Sequence, residues 1–180
     1  MRGSTNGPIP ILRMNSLQDG RVSTADLQYV DIDADLLRKF RLSKGDVLFN
    51  RTNSIDLVGE TALFDLSGEY VFASYLVRPV TDGRRLMPEV LVHYLSQDAV
   101  QQRLKGLATR GVSQSNISAT RLRRFAIPQV PLEEQQEIAA QLHATDRKVE
   151  AEEMRRAALQ ALFKTTLHHL MTGKIRVEDL

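Results

Sequence analysis

The chain has 180 residues, 42% of them hydrophobic and 26% charged, a composition that allows one domain with a sizeable core. Its 24 Lys plus Arg against 22 Asp plus Glu leave a formal charge of +2, too small by itself to name nucleic acid, a membrane or an acidic substrate as the partner. The absence of Cys excludes a disulfide scaffold, a Cys-based zinc site, an iron–sulfur cluster and thiol catalysis. No window approaches the roughly 18 consecutive apolar residues of a membrane span, and the opening residues lack the apolar core of a signal peptide. A soluble, cytoplasmic protein with no membrane partner is expected.

From the start to about Pro128, short apolar runs alternate with turn signals: Ile9-Pro10-Ile11-Leu12, Asp19-Gly20, Val47-Leu48-Phe49, Leu57-Val58, Ser67-Gly68, Tyr70-Val71-Phe72, Leu76-Val77 and Asp82-Gly83. This spacing predicts strands of about five residues joined by tight loops. The acidic stretch Asp26, Asp31, Asp33 and Asp35 lacks the central Gly and closing Glu of a calcium loop and reads as a solvated loop or turn face. Between Pro88 and Lys105, Val90, Leu91, Tyr94, Leu95 and Leu104 recur at helical spacing, and Pro88 suits a first turn, so one helix is expected there. The first part is therefore α+β, a compact mixed domain over residues 1–130.

After Pro131 there is no Gly or Pro until Gly173, and the interval is rich in strong helix formers. One long helix is expected over residues 131–172, followed by a tail at 173–180; at 1.5 Å per residue it is a rod of roughly 60 Å. Glu133 and Glu134 complement its N-terminal dipole, His168 and His169 lie in its last turn, and Gly173 is the expected C-cap. A globule of about 130 residues is only about 35 to 40 Å across, too short to cover such a stripe. Pairing with another helix as a coiled coil is expected, through Ile138, Leu142, Val149, Leu159, Phe163 and Leu170, parallel or antiparallel. The alternative is a solvated single helix held by ion pairs such as Glu152 with Arg156.

Catalytic and cofactor motifs are missing. No phosphate-cradling G-x-x-x-x-G-K-[ST], no dinucleotide-binding G-x-G-x-x-G and no G-x-S-x-G occurs. The four histidines, His93, His143, His168 and His169, have no metal-ligand spacing, and the last two read as helix-terminus residues. What remains is recognition. From Ala99 to Leu132 there are six basic residues, Arg103, Lys105, Arg110, Arg121, Arg123 and Arg124, and no acidic one.

Within that run, Arg110-Gly111-Val112-Ser113-Gln114-Ser115-Asn116 carries the chemistry of a nucleic-acid loop: Arg, Gln and Asn bond base edges, while Ser hydroxyls and glycine-exposed amides bond phosphates. Asn50-Arg51-Thr52-Asn53-Ser54, directly after a predicted strand, is a second such loop. Each also reads as an ordinary turn, and together with the basic run they point to DNA. With 6% aromatic residues and no Trp, a single-strand stacking platform is disfavoured and duplex DNA is the expected ligand.

The run Gly45-Asp46-Val47-Leu48-Phe49-Asn50-Arg51-Thr52-Asn53-Ser54, followed by Val58-Gly59-Glu60, resembles a target recognition domain from the specificity subunit of type I restriction-modification enzymes. Asn116-Ile117-Ser118, Leu122, Ile127-Pro128 and Pro131-Leu132-Glu133-Glu134-Gln135-Gln136-Glu137-Ile138 are similar to that family's junction between recognition domain and conserved helix. Leu170-Met171-Thr172-Gly173-Lys174-Ile175-Arg176-Val177 is similar to the end of its helical region. The likeness runs from about Ile9 to Val177. It implies a non-catalytic DNA reader that directs methyltransferase and endonuclease/translocase subunits to a bipartite site, the partners using S-adenosylmethionine, ATP and Mg2+.

Carried over position by position, the resemblance assigns Asn50, Arg51, Thr52, Asn53 and Ser54 to one DNA-facing loop and Arg110, Ser113, Gln114, Ser115 and Asn116 to a second. Arg13 and Asn15 form a third group. Asn116 reads equally as an N-cap ahead of Ile117. Arg121, Arg123 and Arg124 read also as a solvated face or a docking surface for the methyltransferase. The family's usual subunit has two recognition domains and two helices, so one of each implies half a subunit: a natural short form that forms a homodimer through its helix, a product of gene truncation or a cut fragment, and the family's further strand before Gly7 is either absent or outside the likeness. The alternative is an interaction protein that pairs through its helix with full specificity or methyltransferase subunits and binds no DNA.

Overall fold

The computed structural model describes residues 7–112 and 114–176. Two compact units divide the chain, residues 1–136 and 137–180. In the first unit the short apolar runs form strands of two to four residues, and the fold is the expected α+β type.

Among the described residues it holds three small sheets. In the first, β1 (Ile9–Leu12) lies between antiparallel β4 (Gln28–Val30) and parallel β8 (Val71–Phe72). The second has five strands: β2 (Leu17–Gln18), β3 (Gly20–Val22), β7 (Thr61–Leu63), β5 (Val47–Asn50) and β9 (Leu76–Val77), in that spatial order. The third places β11 (Ser115–Asn116) between β10 (Thr109–Arg110) and β6 (Thr52–Asn53).

Strand β5 explains how these parts share an interior. Successive side chains of a strand point to opposite faces, and all four β5 residues are buried. Val47 and Phe49 enter a cluster with Val58, Leu91, Val92, Leu95, Val100, Leu104 and Ile117. Leu48 faces the other way, among Leu12, Leu17, Leu42, Ala62, Phe64, Phe72 and Leu76. A strand buried on both faces reads in sequence as a continuous apolar run, which Val47-Leu48-Phe49 is.

The helices depart from expectation in two places. The acidic stretch is not simply loop: Asp33 caps α1 (Ala34–Phe40), its Oδ1 accepting the N–H groups of Asp35 and Leu36. The helix expected over Pro88 to Lys105 is two, α2 (Pro88–Leu95) and α3 (Asp98–Gly106), because Gln97 is extended with φ −66° and ψ 137°. The Gln101 side chain accounts for the stop at Leu95, since its Nε2 donates to the Leu95 carbonyl at 2.6 Å and to the Gly59 carbonyl at 3.0 Å. The break lets Leu91, Val92 and Leu95 share one core with Val100 and Leu104.

After α4 (Ala119–Arg123) the chain reaches α5 (Leu132–Met171), the long helix. Within the first unit its opening turn is anchored by Gln135, which is 1% exposed. Its Oε1 accepts the Met87 N–H at 2.8 Å, and its Nε2 donates to the carbonyls of Arg85 and Val130 at 2.8 and 2.7 Å. A buried amide with three bonds in place is a specific tie between the residue preceding α2 and the start of α5.

The second unit is the rest of α5 and the residues after it. Gly173 ends the helix at φ +68°, with Lys174 N–H bonding the His169 carbonyl at 2.9 Å and Gly173 N–H bonding that of Leu170 at 3.2 Å, a Schellman arrangement. Among the expected pairing residues, Val149, Leu159 and Phe163 are exposed and Ile138, Leu142 and Leu170 are partly so; Leu162 and Leu167 are exposed as well. Glu152 pairs with Arg155, not Arg156.

Gln135→Ala is expected to lower stability by about 1–3 kcal/mol, because three partly buried bonds from a buried amide to the backbone are lost. Gln136→Ala, at the exposed neighbouring position, is expected to cost under about 0.5 kcal/mol. Denaturant titration of both variants measures the difference.

Candidate nucleic-acid interface

The two polar loops are about 60 residues apart in sequence and adjacent in the fold. In the third sheet Ser115 pairs with Asn53 and Asn116 with Thr52, while Thr109 and Arg110 pair with Asn116 and Ser115. Residues directly opposite one another share a face, so Arg110, Ser115 and Asn53 form one row and Thr109, Asn116 and Thr52 the other. Two bonds lock the register: Asn116 Nδ2 donates to Thr52 Oγ1 at 2.6 Å, and the N–H of the fully buried Ile117 donates to the Arg51 carbonyl at 2.9 Å.

Burial sorts the expected contact residues. Asn50, Asn53 and Ser115 are buried at 0%, 8% and 4% exposure, which removes them from the accessible surface. Asn50 instead shapes the loop that follows: its Nδ2 donates to the Leu57 carbonyl at 3.2 Å, and its backbone bonds both Gly59 and Glu60. Asn53 Oδ1 accepts the Ser54 N–H at 2.8 Å. Thr52 and Asn116 are half-buried, and Ser54 is exposed. Arg51 is half-buried with Nε unpaired, and no described residue bonds its guanidinium. A buried donor lacking an acceptor is a group for which a ligand oxygen is a natural partner.

The tip of the β10–β11 hairpin carries the most accessible groups. Arg110, Gly111, Val112 and Gln114 are all exposed, and Ser113 lies outside the described residues. Gly111 is required by close approach: its N–H bonds the Gln114 carbonyl at 2.8 Å, and a Cβ there would sit 2.7 Å from that same oxygen. Val112 was not among the expected contacts, yet it is wholly exposed at the tip. An apolar residue presented by a polar hairpin can touch a thymine methyl. Its one sequence signal is its place between Gly111 and a run of polar residues.

Arg13 and Asn15 are engaged by another residue. Asp26 Oδ2 accepts from Arg13 Nη2 and from Asn15 Nδ2, each at 2.8 Å, so Arg13 is neutralised locally. Asn116 is not an N-cap; Ser118 caps α4, its Oγ accepting the Arg121 N–H at 3.2 Å.

The basic segment meets this sheet through Arg121. Arg121 Nη1 donates to the Leu107 carbonyl at 2.8 Å and to Thr109 Oγ1 at 3.2 Å, tying α4 to β10. Arg103 stacks over Phe125 at 4.8 Å and bonds the Tyr94 hydroxyl at 3.1 Å. At the other end of the first polar loop, burial holds the Glu60 carboxyl above the usual carboxylate range, with Asp19 adding to the rise and Lys105 opposing it.

Fold and surface together define a recognition-type module, in which cationic and amide side chains are displayed on paired strands and a 40-residue helix follows in the chain. The family described as type I restriction modification DNA specificity domain matches residues 4–161, and the chain belongs to it. It is similar to the putative type I restriction enzyme MjaX specificity subunit of Methanocaldococcus jannaschii, 33% identical over 144 residues, covering 78% of this chain and 33% of that protein. It is also similar to the type I restriction enzyme EcoKI specificity subunit of Escherichia coli K12, 25% identical over 132 residues, covering 72% of this chain and 28% of that one. The chain therefore spans about a third of the length of these relatives. A chain from structural work on complex assembly and conformational transition of the type I restriction-modification system shares the fold, with a TM-score of 0.60 at 20% identity over 97% of this chain and 40% of that one.

Because the folded state raises the Glu60 pKa, it favours the protonated form, and the contribution to stability is present at low pH and lost as pH rises through the folded value. Glu60→Gln is expected to raise the unfolding midpoint at neutral pH, with the gain closing as pH falls to about 4. Thermal unfolding across that range checks the sign.

Proposed function

We propose that this chain reads duplex DNA for a type I restriction-modification assembly, directing methyltransferase and endonuclease/translocase partners to a bipartite site. The observation that carries the reading is the joining of the two polar loops into one sheet whose hairpin tip presents Arg110, Val112 and Gln114, in a chain of the DNA specificity domain family. Arg51, with an unpaired donor beside that sheet, is the fourth contact. A two-stranded ribbon fits the major groove, where Arg and Gln distinguish base pairs by donor and acceptor pattern. Catalysis belongs to the partners, which would supply the sites for S-adenosylmethionine, ATP and Mg2+.

A bipartite site needs two readers at a set spacing. The exposed apolar residues Leu159, Leu162, Phe163 and Leu167 on α5 support pairing with the helix of a second copy, and a two-fold pair would read a palindromic bipartite sequence.

Co-expression with the methyltransferase subunit and mapping of methylated adenines tests the proposal. A bipartite palindrome is the expected outcome; absence of methylation together with retained binding to the methyltransferase would favour an interaction protein that binds no DNA. Arg51→Ala or Gln114→Ala is expected to relax sequence preference, each lost base contact costing about 1–3 kcal/mol, with self-association unchanged. Phe163→Asp is expected to shift the sedimentation coefficient from dimer to monomer, because the charge would be buried in an apolar seam.

A further inference from the structure

Three arginines of the basic segment converge on one cleft. Arg103, Arg121 and Arg124 line a space of about 470 Å³ with Leu107, Phe125 and Ala126. All three arginines are exposed, and among the described residues none pairs with a carboxylate. Three uncompensated guanidinium groups around one opening repel one another, and an anion relieves that repulsion.

Two of the three are already oriented. Phe125 stacks under Arg103, and the Tyr94 hydroxyl takes a bond from Nη1, so the ring and the hydroxyl fix the plane of that guanidinium. The Leu107 carbonyl and Thr109 Oγ1 both draw on Nη1 of Arg121, which leaves its other N–H groups for an outside acceptor. A guanidinium held by its own protein loses less rotamer freedom when it takes an oxyanion, and its planar fork suits two oxygens of one phosphate.

The cleft is also connected to the reading sheet. Thr109, which bonds Arg121, sits in the same cross-strand row as Asn116 and Thr52. The cationic cleft therefore borders the face that displays the half-buried Asn116 and Thr52.

We propose that Arg103, Arg121 and Arg124, gathered around Phe125, hold backbone phosphates of the duplex whose bases the β10–β11 hairpin contacts. The assignment rests on the DNA reading proposed above and adds a division of labour to it. The hairpin tip and Arg51 discriminate sequence, while the cleft supplies sequence-independent attraction and sets the register of the protein on the backbone. An acidic protein partner is the competing occupant; the stacked, forked arrangement and its border with the Thr109–Asn116–Thr52 row favour phosphate.

The test uses the full chain and a fluorescent duplex of randomised sequence. The slope of log Kd against log salt concentration is measured for the parent, for Arg103→Gln, for Arg124→Gln and for Arg84→Gln as an exposed charge control. Each cleft variant is expected to flatten the slope by about 0.9 and to weaken binding, whereas the sequence selected from the randomised pool stays as in the parent. The control is expected to leave the slope unchanged, and unaltered thermal unfolding shows that the variants fold. A parent that binds with a salt-dependent affinity, with both cleft variants keeping the parent slope, overturns the assignment while sparing the DNA reading. Retained duplex binding with lost capture of the methyltransferase subunit would give the cleft to the protein partner instead. No duplex binding by the parent overturns the DNA reading and this assignment with it.

Discussion

The pairing of β6 with β11 is the constraint on which the proposed recognition surface depends. Only four residues make it, Thr52 and Asn53 with Asn116 and Ser115, and a ladder so short has little stability of its own. Its neighbours stabilise it. β6 follows one residue after β5, whose Val47 and Phe49 lie in the same core as Ile117, the residue that follows β11. The Ile117 N–H bonds the Arg51 carbonyl, so the hinge between β5 and β6 and the end of β11 are fastened at one point. Hydrophobic burial fixes the two segments, and the polar ladder follows from their position.

That arrangement explains why so many polar residues of the two loops face inward. Asn50, Asn53 and Ser115 lie where the strands leave the core, and each is buried. Asn50 holds Leu57 and lets the loop turn back at Gly59, whose φ is +99° and where a Cβ would sit 3.1 Å from Gln101 Oε1, leaving little room for a side chain. Gln101 in turn ends α2. The same few amide groups thus set the loop, break the helix pair and hold the sheet that carries the exposed hairpin.

Much of this was legible in the residues and some was not, for physical reasons. The long helix announced itself because its 40 residues, without Gly or Pro, are rich in strong helix formers such as Glu, Gln, Ala, Leu, Lys and Arg. Strand β5 was legible as an apolar run between turn signals. The split between α2 and α3 was hidden, since Gln97 is an ordinary helix former and the cause is a side chain four residues later reaching two carbonyls. Asp33 showed the same limit: an acidic cluster reads as loop, and its capping role appears only once the following N–H groups are in place. Polar composition marked both polar loops but could not sort Asn50 and Ser115, which are buried, from Gln114 and Arg110, which are exposed. Sorting them required knowing that segments some 60 residues apart are neighbours.

The P-L-E-E-Q run gives the resemblance a physical basis at one position. Gln135 sits in the first turn of α5, is itself buried, and makes three bonds to the segments before α2 and before the helix itself. No apolar residue could replace those bonds, and a shorter amide would place the same groups about 1.5 Å nearer its own backbone. The motif therefore encodes a joint, specifying how the chain leaves the last loop of the domain and enters the helix. Net charge works at the same level of detail. An overall +2 conceals a segment of six basic residues without one acid, and the fold gathers three of those residues around a single cleft beside the sheet formed by the two loops. A partner of opposite charge is selected by that local density and not by the total, because screening confines each charge to about 10 Å of its surroundings.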